Sequence, residues 1–109
     1  MSENITGMKR SHYLNELTAA DIDKRVTLMG WVLRRRDHGG VIFIDLKDIK
    51  GITQVVFNPE NHEEAHAKAH TLRSEFVIAI SGIVKARPDE SLNPKMVTGE
   101  IEVFADESI

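Results

Sequence analysis

A chain of 109 residues with no cysteine and a formal net charge of −3 has the length of one small domain, and it excludes a disulfide framework and thiolate chemistry. No apolar run approaches the length of a membrane-spanning helix, and the polar N-terminal region lacks the apolar core of a signal peptide, so we expect a cytoplasmic protein with no membrane partner. Hydrophobic residues make up 41% of the chain, which is typical of a folded globule and not of a disordered segment.

The charge is distributed unevenly along the chain. Between Arg25 and Asn58, six lysines and arginines stand against three acidic residues, so this segment is cationic although the whole chain is anionic. The contrast marks the segment as the side that would face an anion such as a nucleic acid. An ordinary solvated basic edge explains the same count, so charge alone does not choose between the two.

The N-terminal part of the chain is polar and lacks a strand pattern. Residues 1–12 are predicted to form a flexible lead to a single domain over residues 13–109. Within that domain Thr18 is predicted to cap a short helix, because Asp21, three residues later, completes a capping box.

Segments rich in β-branched and aromatic residues then alternate with turn residues. The pairs Gly39-Gly40 and Lys50-Gly51 supply the first two turns. After the third segment, the apolar periodicity of Glu60–Arg73 predicts a helix, and Pro88–Thr98 is predicted to be a long polar loop. The predicted strands are Arg25–Arg36, Val41–Lys47, Ile52–Asn58, Phe76–Arg87 and Glu100–Phe104.

This order of elements indicates an all-β fold with one helix. Three meandering strands, a helix and two further strands are the order of an OB-fold, a five-stranded Greek-key barrel with a helix between strands 3 and 4. An SH3-like barrel would lack that helix.

Alternation along the second strand assigns its two faces. Ile42, Ile44 and Leu46 form a wholly apolar face that belongs in the core. Phe43 lies on the opposite, polar face, where packing gives an aromatic ring little reason to be. By the same parity, Gln54 of the third strand is predicted to lie outside, beside Phe43.

OB-folds bind oligonucleotides on the face of strands 2 and 3, flanked by the loops between strands 1 and 2 and strands 4 and 5. An exposed ring can stack on an unpaired base and cations attract phosphates, so Phe43 and Gln54 are candidate ligands on this face. The alternative for Phe43 is that the helix or the N-terminal lead covers it. The flanking loops add Arg34, Arg36 and His38 on one side and Arg87 and Asn93 on the other.

Three histidines recur every four residues on the predicted helix, at His62, His66 and His70. Such spacing can place two imidazoles on one metal ion, but no carboxylate or cysteine clearly converges with them, so a solvated helix face is the better interpretation and no metal site is expected. The sequence also contains no nucleophile elbow, no P-loop and no glycine-rich dinucleotide motif, which makes catalysis by this chain alone unexpected.

The central segment resembles a known family. Gly30-Trp31-Val32 followed by Arg34–Leu46 (RRRDHGGVIFIDL) closely resembles the N-terminal anticodon-binding domain of bacterial aspartyl-tRNA synthetases. The resemblance continues through Gln54–Pro59, Leu72–Phe76 and Thr98–Val103, and it covers nearly all residues after Met8.

The resemblance implies a tRNA-binding function. Enzymes of this family attach aspartate to tRNA with ATP and Mg²⁺, usually as homodimers, through a class II catalytic domain that follows this barrel. The chain is therefore expected to bind a tRNA anticodon loop as a monomer, without aminoacylation and with no cofactor of its own. The resemblance places the anticodon contacts on Arg34, Arg36, Phe43, Gln54, Arg87, Asn93 and Glu102, with Phe43 stacking on a base and Glu102 contributing to base discrimination.

Two positions bear on which tRNAs are accepted. His38 is similar to the version of the family that accepts both tRNA(Asp) and tRNA(Asn). Glu90 departs from that version, which often carries glycine at the related loop position. In this resemblance His38 favours acceptance of both tRNAs, whereas Glu90 argues against it.

Two other functions remain open at this point. A free-standing barrel that binds single-stranded nucleic acid with little sequence preference would share the same stacking face. A protein-interaction barrel whose Arg34–Arg36 run meets an acidic partner is the other alternative.

Overall fold

A computed structural model of the chain describes residues 10–60, 62–88, 92–93 and 98–108, without the side chains of residues 107 and 108. A short 3-10 helix, Ala19–Asp21, precedes the first strand, and the one α-helix in the described part of the chain, α1, spans Glu63–Ala69 between the third and fourth strands. The strands are β1 (Arg25–His38), β2 (Val41–Lys47), β3 (Ile52–Phe57), β4 (Val77–Ala86) and β5 (Ile101–Ser108).

The strands close into a barrel in the order β1-β2-β3-β5-β4, with β4 pairing back onto β1. All pairs are antiparallel except β3 and β5, which are parallel. A five-stranded barrel with this crossover and a helix between strands 3 and 4 is an OB-fold, so the predicted fold is confirmed.

The core follows the predicted alternation along β2. Ile42, Ile44 and Leu46 are almost completely buried inside the barrel, together with Phe57 of β3. The apolar face of α1 closes the barrel end at the β1–β2 hairpin through Ala65 and Ala69, as well as Leu72 just beyond the helix.

The opposite end of the barrel is closed by the segment that precedes β1. Leu14 and Leu17 are fully buried. The N–H of Leu14 donates to Asp48 Oδ2 at 2.9 Å, and its carbonyl oxygen accepts from Thr53 Oγ1 at 2.6 Å, which fixes the segment beside the β2–β3 turn. The predicted cap also forms, because Thr18 and Asp21 complete a capping box.

Most of the predicted lead, residues 1–9, lies outside the described residues. Ser11 is paired with β1, since its N–H donates to the Thr27 carbonyl at 2.8 Å and its hydroxyl accepts from the Thr27 N–H at 2.8 Å. The boundary at residue 13 stays a prediction. In the described part of the chain no helix is both long and apolar enough to cross a membrane.

Two predicted boundaries were wrong by several residues. The helix is shorter than Glu60–Arg73, because an Asn58 side chain that accepts from the Glu60 N–H makes a turn before it, and bonds of the 3-10 type follow Ala69. β5 runs four residues beyond Phe104, because it continues to pair along β4 as far as Ser108 opposite Ile80.

Candidate nucleic-acid interface

A β-bulge in β1 turns its arginines toward the outside of the barrel. Val32 pairs with Leu46, but the next regular pair is Arg34 with Asp45, so the register shifts at Leu33, whose side chain is 46% exposed. Without this extra residue, Arg34 would share the inward face with Val32, because side chains alternate along a strand. The bulge therefore places Arg34 and Arg36 on the same outer face as Phe43 and Asp45.

A continuous chain of polar contacts crosses this outer face from β1 to β5. Asp45 lies 3.7 Å from Arg34 Nε and accepts from Arg36 Nη2 at 3.3 Å. Arg36 Nη2 also donates to Gln54 Oε1 at 2.9 Å, and Gln54 Nε2 donates to Glu102 Oε1 at 2.8 Å. The side chains are thereby held in fixed directions by four different strands before any ligand binds.

Phe43 stands between two shallow depressions on this face. One has a volume of about 470 Å³ and is lined by Arg36, Asp37, His38, Phe43 and Gln54. The other, of about 410 Å³, is also lined by Phe43 and includes His38, Val56, Glu102 and Phe104. The Arg36 guanidinium carbon lies 5.6 Å from the centroid of the Phe43 ring. A half-buried ring beside a cation and open on two sides is suited to stacking on bases.

The two depressions together form a groove lined by Arg36, His38, Phe43, Gln54 and Glu102. Glu102 and the oppositely charged Arg87 are both buried and lie close to each other. Glu102 is 5% exposed and Arg87 is 8% exposed. Burial raises the pKa of Glu102, against the lowering effects of the Gln54 hydrogen bond and the Arg87 charge. Burial lowers the pKa of Arg87, which nevertheless remains a cation at neutral pH and donates from Nε to the Ile101 carbonyl at 3.0 Å.

The β1–β2 hairpin at the rim of the groove is tight and braced. Gly39 and Gly40 have φ of 60° and 87°, the left-handed values that a two-residue hairpin turn requires. The Gly40 carbonyl accepts from His66 Nε2 at 2.7 Å, which ties the hairpin tip to α1.

Arg35 makes the second tie between hairpin and helix. Its Nη1 donates to the carbonyls of His70 at 2.9 Å and Leu72 at 3.2 Å, just past the end of α1. Its Nε and Nη2 each donate to a different oxygen of Asp37 at 2.8 Å. This forked hydrogen bond to Arg35 lowers the pKa of Asp37. Arg35 therefore faces the helix while its two neighbours face the groove.

The structure brings most of the predicted site residues together. The groove is lined by Arg36, Phe43, Gln54 and Glu102. Arg34 lies at its edge, where it contacts Asp45. Arg87 lies beneath the groove. Gln54 differs from its prediction in being 4% exposed, because Arg36 on one side and Glu102 on the other cover the amide.

The remaining predicted residues belong to the loops. His38 is exposed at the hairpin and borders both depressions. Asn93 lies in the β4–β5 connection, where its N–H donates to the Gly99 carbonyl at 3.1 Å. Glu90 lies outside the described residues.

Sequence reasoning missed residues that hold the groove in shape. No role was predicted for Asp45, yet it contacts both Arg34 and Arg36. Its position opposite Arg34 in the first hairpin was a detectable signal, since opposite charges on paired strands attract each other. No feature of the sequence predicted the contact of Arg35 with the end of α1, because that contact depends on where the end of the helix packs.

His66 lies within α1, and His62 and His70 are its N-cap and C-cap residues. In the part of the chain that the structure describes, no group of three or more histidine, cysteine, aspartate or glutamate side chains is arranged to hold a metal ion. The His66 and His70 rings meet edge to face, with centroids 4.7 Å apart.

The family model of the OB-fold nucleic acid binding domain of the tRNA anticodon type matches residues 26–107. The chain belongs to this family. The match spans all five strands and α1, and so includes every side chain of the polar contact chain described above.

Curated relatives of high identity carry the same domain. An aspartate–tRNA(Asp/Asn) ligase of Desulfotalea psychrophila is 61% identical over 107 residues, which is 98% of this chain and 18% of the relative. A ligase of the same name from Halothermothrix orenii is 58% identical over 103 residues, or 94% of this chain and 18% of the relative. The chain thus spans less than a fifth of the length of the curated relatives it matches.

Solved structures show the same fold. Asparaginyl-tRNA synthetase from Pyrococcus horikoshii, complexed with asparaginyl-adenylate, matches 90% of this chain and 21% of its own with a TM-score of 0.75 and 29% identity. Aspartyl-tRNA synthetase from Entamoeba histolytica matches 95% of this chain and 21% of its own with a TM-score of 0.80, and at 24% identity this likeness concerns the fold alone.

Proposed function

We propose that this chain is the anticodon-recognition domain of an aspartate–tRNA ligase. The observation that carries the proposal is the groove itself. A phenylalanine ring open on two sides lies beside the contact chain Arg36–Gln54–Glu102, on the barrel face that OB-folds use for oligonucleotides. The high identity to ligases named for tRNA(Asp/Asn) supports the choice of RNA over other ligands.

Each side chain has a role that follows from its chemistry. Phe43 stacks on a base that is turned out of the anticodon loop, a contact of about 1–3 kcal/mol. Arg34 and Arg36 bind phosphates or acceptor atoms of bases. Gln54 and Glu102 present an amide and a carboxylate to the base edges, which is how sequence is read on unpaired RNA loops.

The whole ligase would supply the rest of the reaction. In that enzyme ATP and Mg²⁺ activate aspartate in a catalytic domain outside the matched segment, and the enzyme acts as a cytoplasmic homodimer. We expect residues 1–109 alone to bind the tRNA as a monomer, without a cofactor and without aminoacylation.

Acceptance of both tRNA(Asp) and tRNA(Asn) is the further part of the proposal. His38 borders both depressions beside Phe43, so it is close enough to affect which base is stacked there. Asn93, in the β4–β5 connection, completes the proposed contact set with Arg87, and Glu90 is the second proposed specificity position. The names of the curated relatives agree with dual specificity.

The proposal is tested by titrating anticodon stem-loops of tRNA(Asp) and tRNA(Asn) with the wild-type chain and with Phe43→Ala. We expect the variant to bind about 5- to 150-fold more weakly, which corresponds to the loss of one stacked base. Phe76→Ala is the matched control, because Phe76 is a half-exposed phenylalanine just before β4, outside the groove. Equal losses in both variants, or none in either, would refute the role of the groove.

Arg36→Ala tests the polar half of the groove. Arg25→Ala is its control, since Arg25 is also an exposed β1 arginine paired with an aspartate, Asp106, but lies at the other end of the strand. We expect only Arg36→Ala to weaken binding. A loop of scrambled sequence that binds as tightly as the anticodon loop would favour a single-strand binder with little sequence preference. No RNA binding at low salt would favour the protein-interaction barrel.

A further inference from the structure

A second surface lies on β2 at the end opposite the hairpin. We propose that Lys47 and Lys50, held by the rings of Trp31 and Tyr13, bind the sugar–phosphate backbone of the RNA stem that adjoins the loop. The proposal rests on the proposed function, and it adds a contact to the stem to the contacts with the loop.

The two ammonium groups lie against aromatic rings. Lys47 Nζ is 6.0 Å from the centroid of the Trp31 ring, to which it is adjacent because the two residues pair across β1 and β2. Lys50 Nζ, in the β2–β3 turn, is 5.1 Å from the centroid of the Tyr13 ring. Attraction between cation and ring favours these positions, and it leaves the N–H donors of each ammonium group available to an anion. The Tyr13 ring also faces the Arg10 guanidinium at 4.4 Å.

Lysines elsewhere on the barrel differ in having carboxylate partners. Lys24 pairs with Asp21 at 3.4 Å, and Lys85 pairs with Asp23 at 2.8 Å. Within the described residues, neither Lys47 nor Lys50 forms an ion pair with a carboxylate. These two lysines therefore present charge that no acidic side chain neutralises by direct contact.

The nearest acidic groups are already engaged by the backbone. Asp48 is 4% exposed, and its two oxygens accept from the N–H groups of Leu14, Lys50 and Gly51 at 2.7–3.0 Å. The carboxylate of Glu16 accepts from the Tyr13 N–H at 2.8 Å. The hydrogen bonds of the buried Asp48 direct it toward backbone donors, so Asp48 does not face a ligand of the lysines.

The surface is continuous with the proposed groove. Phe43, Asp45 and Lys47 alternate onto the same outer face of β2, and four residues of strand separate the first from the last by about 13 Å. Asp45 between them is neutralised by Arg34 and Arg36. Lys47 and Lys50 therefore extend the positively charged surface away from Phe43, the ring that would stack on the unpaired base.

Backbone phosphates are the ligand that suits Lys47 and Lys50. A folded RNA loop continues on both sides into a paired stem, whose base edges are poorly accessible and which proteins recognise through phosphates and 2′-hydroxyls. Lysine ammonium groups act as point charges toward phosphate and carry no base selectivity. The surface would therefore add affinity and salt dependence to binding, and the groove would supply sequence preference.

The test compares two double variants that each remove two positive charges. Lys47→Gln/Lys50→Gln removes the proposed site, and Lys24→Gln/Lys85→Gln removes two lysines that have carboxylate partners. Both are titrated between 50 and 200 mM salt with an anticodon stem-loop and with an unpaired oligonucleotide of the loop sequence, after thermal melts confirm that each variant is folded.

For the stem-loop we expect the first double variant to lower the slope of log affinity against log salt by about 1.8, from two phosphates of a paired stem at about 0.9 each. The advantage of the wild type over this variant then shrinks about twelvefold between 50 and 200 mM salt. The slope for the loop oligonucleotide, and both slopes for the control variant, should stay at the wild-type value.

An unchanged stem-loop slope in Lys47→Gln/Lys50→Gln would overturn the proposal, and so would an equal change for the loop oligonucleotide. Neither result would affect the groove, which is judged by Phe43→Ala on the same RNA. Failure of the wild-type chain to bind the stem-loop at 50 mM salt would reject the proposed function and this inference together.

Discussion

Replacement of Arg35 by alanine should loosen the β1–β2 hairpin without removing a ligand-binding group. Arg35 has its donors on the carbonyls of His70 and Leu72 and on the carboxylate of Asp37, so none of its four described hydrogen bonds points into the groove. Both carbonyls also accept from Arg73 Nη1, at 3.2 and 3.1 Å, so they keep a partner when Arg35 is replaced. We therefore expect Arg35 to act as a positioning residue for its neighbours Arg34 and Arg36.

The size of the effect follows from these contacts. The ion pair with Asp37 is exposed to solvent and stabilises the hairpin little, whereas a hydrogen bond from a charged donor to a carbonyl contributes about 1.5–3 kcal/mol when it is shielded from water. The Arg35 side chain is 21% exposed, so we take about 2 kcal/mol for the whole set. A loss of that size raises the population of the open hairpin about 30-fold.

Amide hydrogen exchange measures that population directly. Protection of the hairpin amides, Gly39 and Gly40 among them, should fall about 30-fold in Arg35→Ala, while the β4 amides that pair with β1 at its other end keep their protection. RNA affinity should fall by less than twofold, because the hairpin is still closed most of the time. Hairpin protection and RNA affinity in Arg35→Lys should lie between those of the wild type and Arg35→Ala. One ammonium group can reach a carbonyl but cannot bind Asp37 through two nitrogens.

Salt dependence separates positioning from direct contact. Arg35→Ala should leave the slope of log affinity against log salt unchanged, whereas Arg34→Ala should lower it by about 0.7 if Arg34 neutralises one phosphate. A drop of that size in Arg35→Ala would mean that Arg35 itself binds RNA. Unchanged hydrogen exchange in the hairpin would refute the bracing argument.

Two further predictions concern stability. Burial raises the folded-state pKa of Glu102 above its ordinary value of 4.5, so the unfolding free energy of the wild type should fall as pH rises from 4.5 through that higher pKa. Glu102→Gln cannot ionise, so its melting temperature relative to wild type should be higher at pH 7 than at pH 4, and a difference independent of pH would contradict this reasoning. Leu14→Ala should lower the unfolding free energy by about 2.7–5 kcal/mol in urea titrations, because Leu14 is fully buried at the barrel end; a loss below about 1 kcal/mol would show that the segment before β1 is not part of the folded core.

The fold was predictable because its signals are local and agree with one another. Alternation along Val41–Lys47 identified the buried face of β2, and the Gly39-Gly40 pair located the first turn. The apolar face of the helix between strands 3 and 4 then distinguished an OB-fold from other small barrels. Each of these signals depends on neighbours within a few residues, which is what sequence patterns record best.

The bulge at Leu33 was not predictable from the same signals. Parity counted from Val32 would have placed Arg34 inside the barrel, and only the extra residue moves it to the outer face. Three consecutive arginines made it implausible that any of their side chains points into the barrel, but they did not show where the register shifts. Burial of Gln54 was also missed, since it depends on Glu102 of β5, a strand that follows 44 residues after β3 ends and joins it in parallel.

The burial of Glu102 and Gln54 changes what these residues contribute to recognition. In the free domain they are already paired with each other, and Gln54 is paired with Arg36, so a base that enters the groove must replace hydrogen bonds that exist. A base that offers the right donors loses nothing by this exchange, whereas a wrong base leaves a buried amide or carboxylate without a partner, at about 1–3 kcal/mol for each group and more when it is charged. Such a penalty lowers the affinity for loops with a wrong base and leaves the affinity for the right loop unchanged. The polar network should therefore account for discrimination between loops, and Phe43 and the cations for most of the affinity.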